Sequence, residues 1–341
     1  MRVLIVRVGA LGDVLHALPA VAALRKQQPE WLEWTIDWVV DPRWAPLLVG
    51  DDIRGPVVDR IHAAETKLWS SAPISLATLR SVLDLRSVLR AERYDLVIDM
   101  QGTVRSAVIG RMAGARKFAG YSDPREAVAV NLYTERLARR GAHVVEQGAA
   151  LLGEACGLKI VPVEISLPRV AWAEHWAEEE AVLSRPLCVL GAGGGWGAKH
   201  WPTARFGALA LELRAMGFDV VVNAPHKNDV VANEVVAASR GTARMVVCNV
   251  TGLVALMRRT DLFIGGDSGP THLAAALGVP LVALFGPTDP ARNGPWGPGA
   301  KRVLRDASSI TSYKHVAEGD PGLARITVES VLEAVRQVRG T

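Results

Sequence analysis

Short apolar runs alternate along the chain with longer segments in which apolar residues recur every three or four positions. The runs predict buried strands, and the longer period predicts helices that pack against them. The predicted strands are Val3–Val8, Thr35–Val40, Leu96–Asp99, Lys117–Gly120, Leu187–Leu190, Asp219–Asn223, Leu262–Gly265 and Leu281–Phe285. The predicted helices are Leu15–Gln27, Leu76–Glu92, Val104–Met112, Arg205–Met216, Val230–Ser239, Gly252–Arg258, Thr271–Leu277 and Val328–Arg339. This alternation is typical of the α/β class, in which doubly wound parallel sheets carry helices on both faces.

The chain is long enough for two such sheets in separate domains. It has 341 residues, of which 49% are hydrophobic, so it can supply two packed cores. The segment Pro162–Arg169 contains two prolines and lies between the two groups of strands. We therefore predict an N-terminal domain over residues 1–165 and a C-terminal domain over residues 166–341.

The charge balance is mild, with 39 basic and 35 acidic residues and a net charge of +4. Basic runs interleaved with aromatic residues, which are typical of nucleic-acid binding, are absent from the sequence. The composition therefore predicts no nucleic-acid partner and suits an anionic substrate or an anionic membrane face.

Cysteine usage and the start of the chain indicate a reducing, cytoplasmic compartment. The three cysteines are far apart and form no C-x-x-C pair, and Cys188 and Cys248 lie in or beside apolar runs, which predicts buried thiols. Arg7 and Asp13 interrupt the apolar start of the chain, so we predict a core strand there rather than a signal peptide. No apolar run approaches the roughly 20 residues that span a bilayer.

Three glycine turns each follow a predicted strand, at Gly9–Asp13, Gly193–Lys199 and Gly266–His272. They are therefore expected at the carboxyl ends of parallel strands, where open α/β sheets bind ligands. Glycine lets backbone amides approach a phosphate, and the first turn of a helix attracts an anion. Because the turns are divided between the two halves, the pattern indicates an enzyme that handles a nucleotide-activated substrate.

Asp13 has two interpretations. It starts a predicted helix, where aspartate is a common N-cap. Alternatively, a carboxylate that stays ionised at a helix N-terminus can act as a general base toward an attacking hydroxyl. The turn has only G-x-x-G in place of the G-x-G-x-x-G dinucleotide fingerprint, so a nicotinamide cofactor is not favoured.

The two turns of the second half predict a phosphate site. Lys199 adds a positive charge beside three consecutive glycines, although the order of residues is not that of a P-loop. Asp267 would repel a phosphate, so we expect it to bond loop amides or sugar hydroxyls. His272 is either a structural histidine or a donor to the leaving phosphate.

Three basic residues of the first half are candidates for an anionic acceptor, namely Lys67, Arg105 and Arg125, with ordinary surface charge as the alternative. The histidines have no metal-binding spacing such as H-E-x-x-H, and the serines do not form G-x-S-x-G. We therefore predict neither a metal site nor a hydrolase.

Several motifs in this order resemble the ADP-heptose:lipopolysaccharide heptosyltransferases, nearly from end to end of the chain. They are Met1–Arg7 with Gly9–His16, Gly197–Pro202, Gly266–His272 and Phe285–Pro290. Within that family, Lys67 to Pro73 and Asp99 to Ala107 look most like the enzymes that add the first heptose to Kdo on lipid A. The resemblance implies a GT-B fold, with two Rossmann-like domains facing across a cleft.

The resemblance also implies roles for individual residues. Asp13 falls on the catalytic base, and Lys67, Arg105 and Arg125 fall on basic positions for the Kdo–lipid acceptor in the N-terminal domain. The donor positions fall in the C-terminal domain, at Gly194, Gly195, Lys199, Asp267, Ser268, Gly269 and His272. Gly194 and Gly195 stand where a relative has threonines, so backbone amides would take that role, and Asp229 substitutes for an acidic residue that contacts the ribose.

These positions imply an inverting transfer of heptose from ADP-heptose, with no metal or other cofactor, by a cytoplasmic protein in peripheral contact with the inner membrane. The alternatives are a heptosyltransferase that acts on a later core heptose, a nucleotide-dependent oxidoreductase, and a catalytically silent protein that binds nucleotide sugars.

Overall fold

The computed structural model describes residues 1–27, 34–49, 55–180, 185–312 and 319–340. It divides into two compact units, Met1–Pro168 and Arg169–Thr341. The boundary between them lies within the proline-containing segment 162–169.

The first unit is built on a six-stranded parallel sheet with the order β3-β2-β1-β4-β5-β6. Its strands are β1 (Arg2–Val6), β2 (Thr35–Val40), β3 (Arg60–Ala63), β4 (Leu96–Asp99), β5 (Lys117–Tyr121) and β6 (Glu135–Leu137). Its helices are α1 (Leu11–Gln27), α2 (Thr66–Ser71), α3 (Leu76–Ala91), α4 (Val104–Met112) and α5 (Val144–Cys156).

The second unit repeats this topology, with the strand order β12-β11-β10-β7-β8-β9. Its strands are β7 (Leu187–Gly191), β8 (Asp219–Ala224), β9 (Ala243–Val247), β10 (Leu262–Gly266), β11 (Leu281–Phe285) and β12 (Lys301–Arg305). Its helices are α6 (Ala171–Glu180), α7 (Thr203–Ala215), α8 (Val230–Ala238), α9 (Val250–Arg258), α10 (Gly269–Ala276), α11 (Pro290–Asn293) and α12 (Val328–Arg339).

Both sheets have the strand order of a Rossmann fold, so the predicted α/β class with two doubly wound sheets is confirmed. In such a sheet the strand order proceeds outward in opposite directions from two adjacent central strands, and the place where they meet is called the switch point. The crevice at the carboxyl ends of these two strands is the usual ligand site. This switch point lies between β1 and β4 in the first unit and between β7 and β10 in the second.

The strands that the sequence pattern missed are β3, β6, β9 and β12, and each of them is at the edge of its sheet. A central strand is buried on both faces and forms a continuous apolar run, whereas an edge strand is partly solvated. β12, for example, reads Lys-Arg-Val-Leu-Arg and has no fully buried residue. Edge strands of this kind lack the apolar run that the prediction used.

Several element boundaries differ from the prediction. α1 begins at Leu11, and the first strand ends at Val6 rather than Val8. The prediction also missed α2, α5, α6 and α11. Cys188 is buried as predicted, but Cys248 is only partly buried. Among the helices of the described residues, none has the length and apolar character needed to cross a membrane.

Candidate active site

The second unit brings Lys199 and Asp267 together at its switch point. Lys199 lies in the turn after β7 and Asp267 directly follows β10, and these strands are neighbours in the sheet. The Lys199 Nζ is 2.5 Å from the Asp267 Oδ2, and both side chains are largely buried. Strand order therefore places two of the predicted donor residues in direct contact.

Asp267 is buried and is held by two further side chains. The Thr288 hydroxyl donates to its Oδ2 at 2.7 Å, and the His272 Nε2 lies 3.0 Å from its Oδ1. Burial by itself raises the pKa of the Asp267 carboxyl, but His272 and Lys199 outweigh it and hold that pKa well below its usual value. The carboxylate is therefore charged, and its partners within the protein are side chains rather than loop amides. The alternative expectation, a bond to sugar hydroxyls, stays a prediction.

Lys199 is held in place by the residues around it. Its Nζ lies over the Trp196 ring, 5.5 Å from the ring centroid. Trp201, two residues later, is fully buried, and its Nε1 donates to the Ile326 carbonyl at 2.9 Å. The turn that carries Lys199 is thus anchored to the core, so its cation has a defined position.

The N-terminus of α10 lies beside this pair. The helix begins at Gly269 with Pro270 in its first turn, and its N-cap residue Ser268 makes no side-chain capping bond within the described chain. By contrast, the aspartate and asparagine N-caps of α8 and α9 do bond their helices. Because the first amides of a helix lack intrahelical partners, α10 presents N–H groups to an anion.

The glycine turn after β7 leaves space beside its backbone. A Cβ added at Gly193 or Gly195 would meet no atom within 4 Å among the described residues, and neither glycine has a left-handed φ. The Gly194 N–H already donates to the His200 Nε2 at 3.0 Å. Packing and backbone strain within the second unit therefore give no reason for glycine at position 195.

The structure shows contacts of Asp229 and Thr288 that the sequence analysis did not describe. Asp229 is the N-cap of α8, and its carboxylate accepts the Ala232 N–H at 2.9 Å. A contact of Asp229 with a ribose stays a prediction. Thr288 was assigned no role, although it follows β11, the neighbour of β10. The signal that could have found it is the position of Gly286-Pro287-Thr288 at the end of a central strand.

Asp13 lies at the switch point of the first unit. It is the third residue of α1, so the N-cap interpretation is wrong, because the helix begins earlier, at Leu11. Its Oδ2 accepts the Ala10 N–H at 3.1 Å, and its Oδ1 is 2.7 Å from the Arg7 Nη2. One third of the side chain is exposed, at 33%, so the carboxylate is accessible to a ligand.

Arg7 is a site residue that the sequence analysis missed. Besides pairing with Asp13, it donates a hydrogen bond from Nη1 to the Met100 carbonyl, just after β4. Arg7 therefore ties together the segments that follow the two central strands of the first sheet. Only its place at the end of β1 could have indicated this role.

Arg105 and Arg125 lie on adjoining segments. Arg105 is the second residue of α4, and both side chains are exposed. Glu126 donates its N–H to the Gly102 carbonyl at 2.9 Å, and its carboxylate accepts the Val104 N–H at 2.8 Å. These bonds join the two loops that carry the arginines.

Asp99 fixes the turn that leads to Arg105. Its Oδ1 accepts the N–H groups of Gln101 and Gly102 at 2.8 and 3.1 Å. Its Oδ2 accepts the hydroxyls of Ser106 and Tyr133 at 2.9 and 2.7 Å. Burial raises the pKa of Asp99, and these donors oppose that rise. The network is structural, since every contact is within the first unit and all but the bond from Gln101 are buried.

Lys67 is the second residue of α2, on the exposed surface beyond the edge strand β3. It follows the carboxyl end of its strand, as Asp13, Arg105 and Arg125 do. The carboxyl edge of the first sheet thus carries Asp13 together with the three candidate cations.

The charge of Asp267 predicts a pH dependence of stability. Its folded-state pKa is lowered, so it stabilises the fold above the unfolded-state pKa of about 3.9 and this contribution is lost as the pH falls below that value. We expect Asp267→Asn to lower the free energy of unfolding by about 2 kcal/mol at pH 7, because bonds to a charged acceptor are replaced. In denaturant titrations the difference from the unsubstituted protein should shrink below about pH 4. The control is Asp84→Asn, on the exposed surface of α3, and a pH-independent difference for Asp267→Asn would contradict the prediction.

Comparison with known proteins adds the family. The model of "Glycosyltransferase family 9 (heptosyltransferase)" matches residues 82–318. Lipopolysaccharide heptosyltransferase 1 of Pseudomonas aeruginosa is 28% identical over 307 residues, covering 87% of this chain and 82% of that protein. The enzyme of the same name from Escherichia coli strain K12 is 28% identical over 306 residues, covering 87% and 91%.

Solved structures agree with this result. The structure of E. coli heptosyltransferase WaaC with ADP is 25% identical, with a TM-score of 0.76 and 99% of each chain covered. A family 9 glycosyltransferase from Veillonella parvula has a TM-score of 0.81 at 21% identity, which supports the fold alone. The predicted GT-B fold class is confirmed by these structures. The chain belongs to glycosyltransferase family 9, the heptosyltransferases.

Proposed function

We propose that the protein transfers L-glycero-D-manno-heptose from ADP-heptose to a Kdo residue of Kdo-lipid A, with inversion at the anomeric carbon. Relatives of similar length are named lipopolysaccharide heptosyltransferase 1, and one similar structure contains ADP. Membership of the family favours a glycosyltransferase over the oxidoreductase and the silent binding protein. The observation that carries the proposal is the Lys199–Asp267 pair beside the open N-terminus of α10.

The second unit would bind the donor. Lys199 and the first amides of α10 supply positive charge for the diphosphate, where negative charge grows as ADP leaves. Gly195 leaves room for the same group to approach the backbone. Asp267 accepts a hydrogen bond from the Lys199 ammonium and restrains it. Because a lysine and a helix N-terminus stabilise the leaving group, the scheme needs no metal ion, and transfer that persists in excess chelator would support this.

The first unit would bind the acceptor. The Kdo hydroxyl is a poor nucleophile while it is protonated, and Asp13 is an accessible carboxylate that can take its proton as attack develops. Kdo and the phosphates of lipid A are anionic, and Lys67, Arg105 and Arg125 would orient them at the same sheet edge. A lipid acceptor also accounts for the proposed place of the protein, at the cytoplasmic face of the inner membrane.

The test of the function is transfer of heptose to purified Kdo-lipid A from ADP-heptose, followed by mass spectrometry. The expected product is one heptose heavier than the acceptor. A parallel reaction with an acceptor that already carries the first heptose addresses the later-core alternative, and transfer to that acceptor alone would replace our proposal with it.

Arg105→Ala is expected to raise the KM for the acceptor about tenfold while the KM for ADP-heptose changes little. The reason is the loss of one charge-assisted bond to an anionic group at an exposed position. The matched control is Arg111→Ala, an exposed arginine at the other end of α4, which should leave both constants unchanged. Equal effects of Arg105→Ala on donor and acceptor would remove Arg105 from the acceptor site.

A further inference from the structure

Helix α3 carries a row of exposed large apolar side chains. Leu76, Leu79 and Leu83 are 73%, 54% and 48% exposed, and Ile74, just before the helix, is 97% exposed. The spacing of the three leucines places them on one face of the helix. We call Ile74, Leu76, Leu79 and Leu83 the α3 surface.

The opposite face of α3 packs against the core of the first unit. Leu85 and Leu89 are 7% and 0% exposed and belong to the core of the first unit. The N-cap Ser75 accepts the Thr78 N–H at 3.1 Å, so the helix also has a defined start. The α3 surface is therefore not needed to hold the helix in place. Single exposed apolar residues are common, but a contiguous group marks an interaction site.

The charges around the α3 surface are mainly basic. Arg80, Arg86 and Arg90 are exposed on the same helix, and Asp84 is its one acidic residue, so α3 has a net charge of 3 − 1 = +2. Arg80 lies four residues after Leu76, and Arg86 lies three residues after Leu83, so both flank the apolar row. Within the described chain, neither Arg80 nor Arg86 forms an ion pair.

We propose that the α3 surface binds an anionic phospholipid bilayer. Its apolar side chains would enter the boundary between headgroups and acyl chains, as in helices that lie in the membrane interface. The flanking arginines would pair with lipid phosphates, which match the guanidinium fork. The proposal rests on the proposed function in one respect, since a lipid-borne acceptor requires the enzyme to work at a membrane.

The position of α3 in the fold agrees with this role. Along the chain, α3 connects the end of β3 to the start of β4, and these strands run parallel in the sheet. The first turn of α3 is therefore near the carboxyl edge of the sheet, and its last turn is near the amino edge. Ile74 and Leu76 therefore lie at the end of α3 that is nearer to Lys67 and the other candidate acceptor residues. A bilayer on this face would present a lipid-borne sugar at the edge that carries Asp13.

Charge favours a bilayer over a second copy of the chain. In a symmetric dimer through the α3 surface, the same patch meets itself, so that basic flanks would face basic flanks. An anionic membrane instead supplies the opposite charge along the whole patch. We therefore assign the surface to lipid.

The experiment is co-sedimentation of the full chain with vesicles of phosphatidylcholine alone or with about one third phosphatidylglycerol. The unsubstituted protein should bind the anionic vesicles, and binding should weaken with salt. Leu79→Gln with Leu83→Gln should lower the partition coefficient about tenfold or more, through lost apolar burial. Arg80→Gln with Arg86→Gln should lower the partition coefficient roughly 25-fold at low salt, because each lost charge near the membrane surface lowers it about fivefold.

Matched controls separate the surface from general effects. Val88→Gln alters another residue of α3 that is 48% exposed but lies off the leucine face, and Arg336→Gln removes an exposed arginine of α12. Both should bind vesicles as the unsubstituted protein does. Equal binding by the leucine variant and the unsubstituted protein, or no preference for anionic vesicles, would overturn the proposal. A leucine variant that turns a dimer into a monomer in light scattering would also overturn it.

Transfer to a Kdo-bearing acceptor stripped of its acyl chains distinguishes this proposal from the proposed function. The leucine variant should use that acceptor at the unsubstituted rate but lose activity on acceptor embedded in vesicles. If the unsubstituted protein transfers heptose to neither acceptor, the proposed function fails, and the vesicle measurement still decides the lipid surface on its own.

Discussion

Replacing Asp13 with asparagine is expected to lower the turnover of heptose transfer by about a hundredfold or more, the usual range for loss of a general base. Asparagine keeps the shape of the side chain and can still accept the Ala10 N–H, so the start of α1 should stay intact. What it loses is the negative charge that pairs with Arg7 and the capacity to take a proton from the acceptor hydroxyl. Turnover is measured at saturating donor and acceptor, and the affinity for ADP, measured by calorimetry, should not change.

A matched control for Asp13 is Asp95→Asn. Asp95 also accepts a backbone N–H, that of Arg2 at 2.7 Å, but it precedes β4 and so lies at the amino edge of the same sheet. Its substitution should leave turnover nearly unchanged. If Asp13→Asn kept near-normal turnover while its thermal unfolding matched that of the unsubstituted protein, Asp13 would not be the base.

Lys199→Gln is the second change with a large expected effect, a decrease in kcat of about 100- to 1,000-fold. The Lys199 ammonium lies at the switch point of the second unit, and in the proposed function it stabilises the leaving diphosphate. Glutamine preserves much of the length of the side chain and can still donate a hydrogen bond to Asp267. The measurement is single-turnover kinetics at saturating ADP-heptose, which reports the transfer step.

Lys301→Gln serves as the control for Lys199. The Lys301 Nζ donates to the Gly297 carbonyl at 2.6 Å, so it is also a partly buried, hydrogen-bonded lysine of the second unit. It should change stability more than transfer. An unchanged single-turnover rate in Lys199→Gln would mean that the helix amides stabilise the leaving group without the lysine.

The sequence was sufficient to predict the central strands of each sheet but not its edge strands. β1, β4, β7 and β10 are continuous apolar runs because both faces of a central strand are covered. The edge strands carry charged residues. The spacing of apolar residues and the hydropathy of such a segment therefore do not distinguish it from a loop. The two-sheet architecture was therefore predictable, whereas the full strand count was not.

The places of the candidate site residues along the sheet edge could be predicted from the sequence, but the contacts between their side chains could not. The glycine turns could be placed at the carboxyl edge because each follows an apolar run. The pairing of Lys199 with Asp267 depends on which strands are neighbours, and the two residues are 68 positions apart. The bridge formed by Arg7 depends on strand order in the same way. The capping role of Asp229 was readable from local sequence, since aspartate is common just before a helix.

The contact between Lys199 and Asp267 also affects how a donor would enter and leave. A lysine side chain has about 2 kcal/mol of rotamer entropy. Because Asp267 already restrains the ammonium, much of that entropy is lost when the protein folds rather than when the nucleotide arrives, so the cation is preorganised. In the proposed function, the same carboxylate would offset part of the attraction for ADP and would thereby favour product release after each turnover.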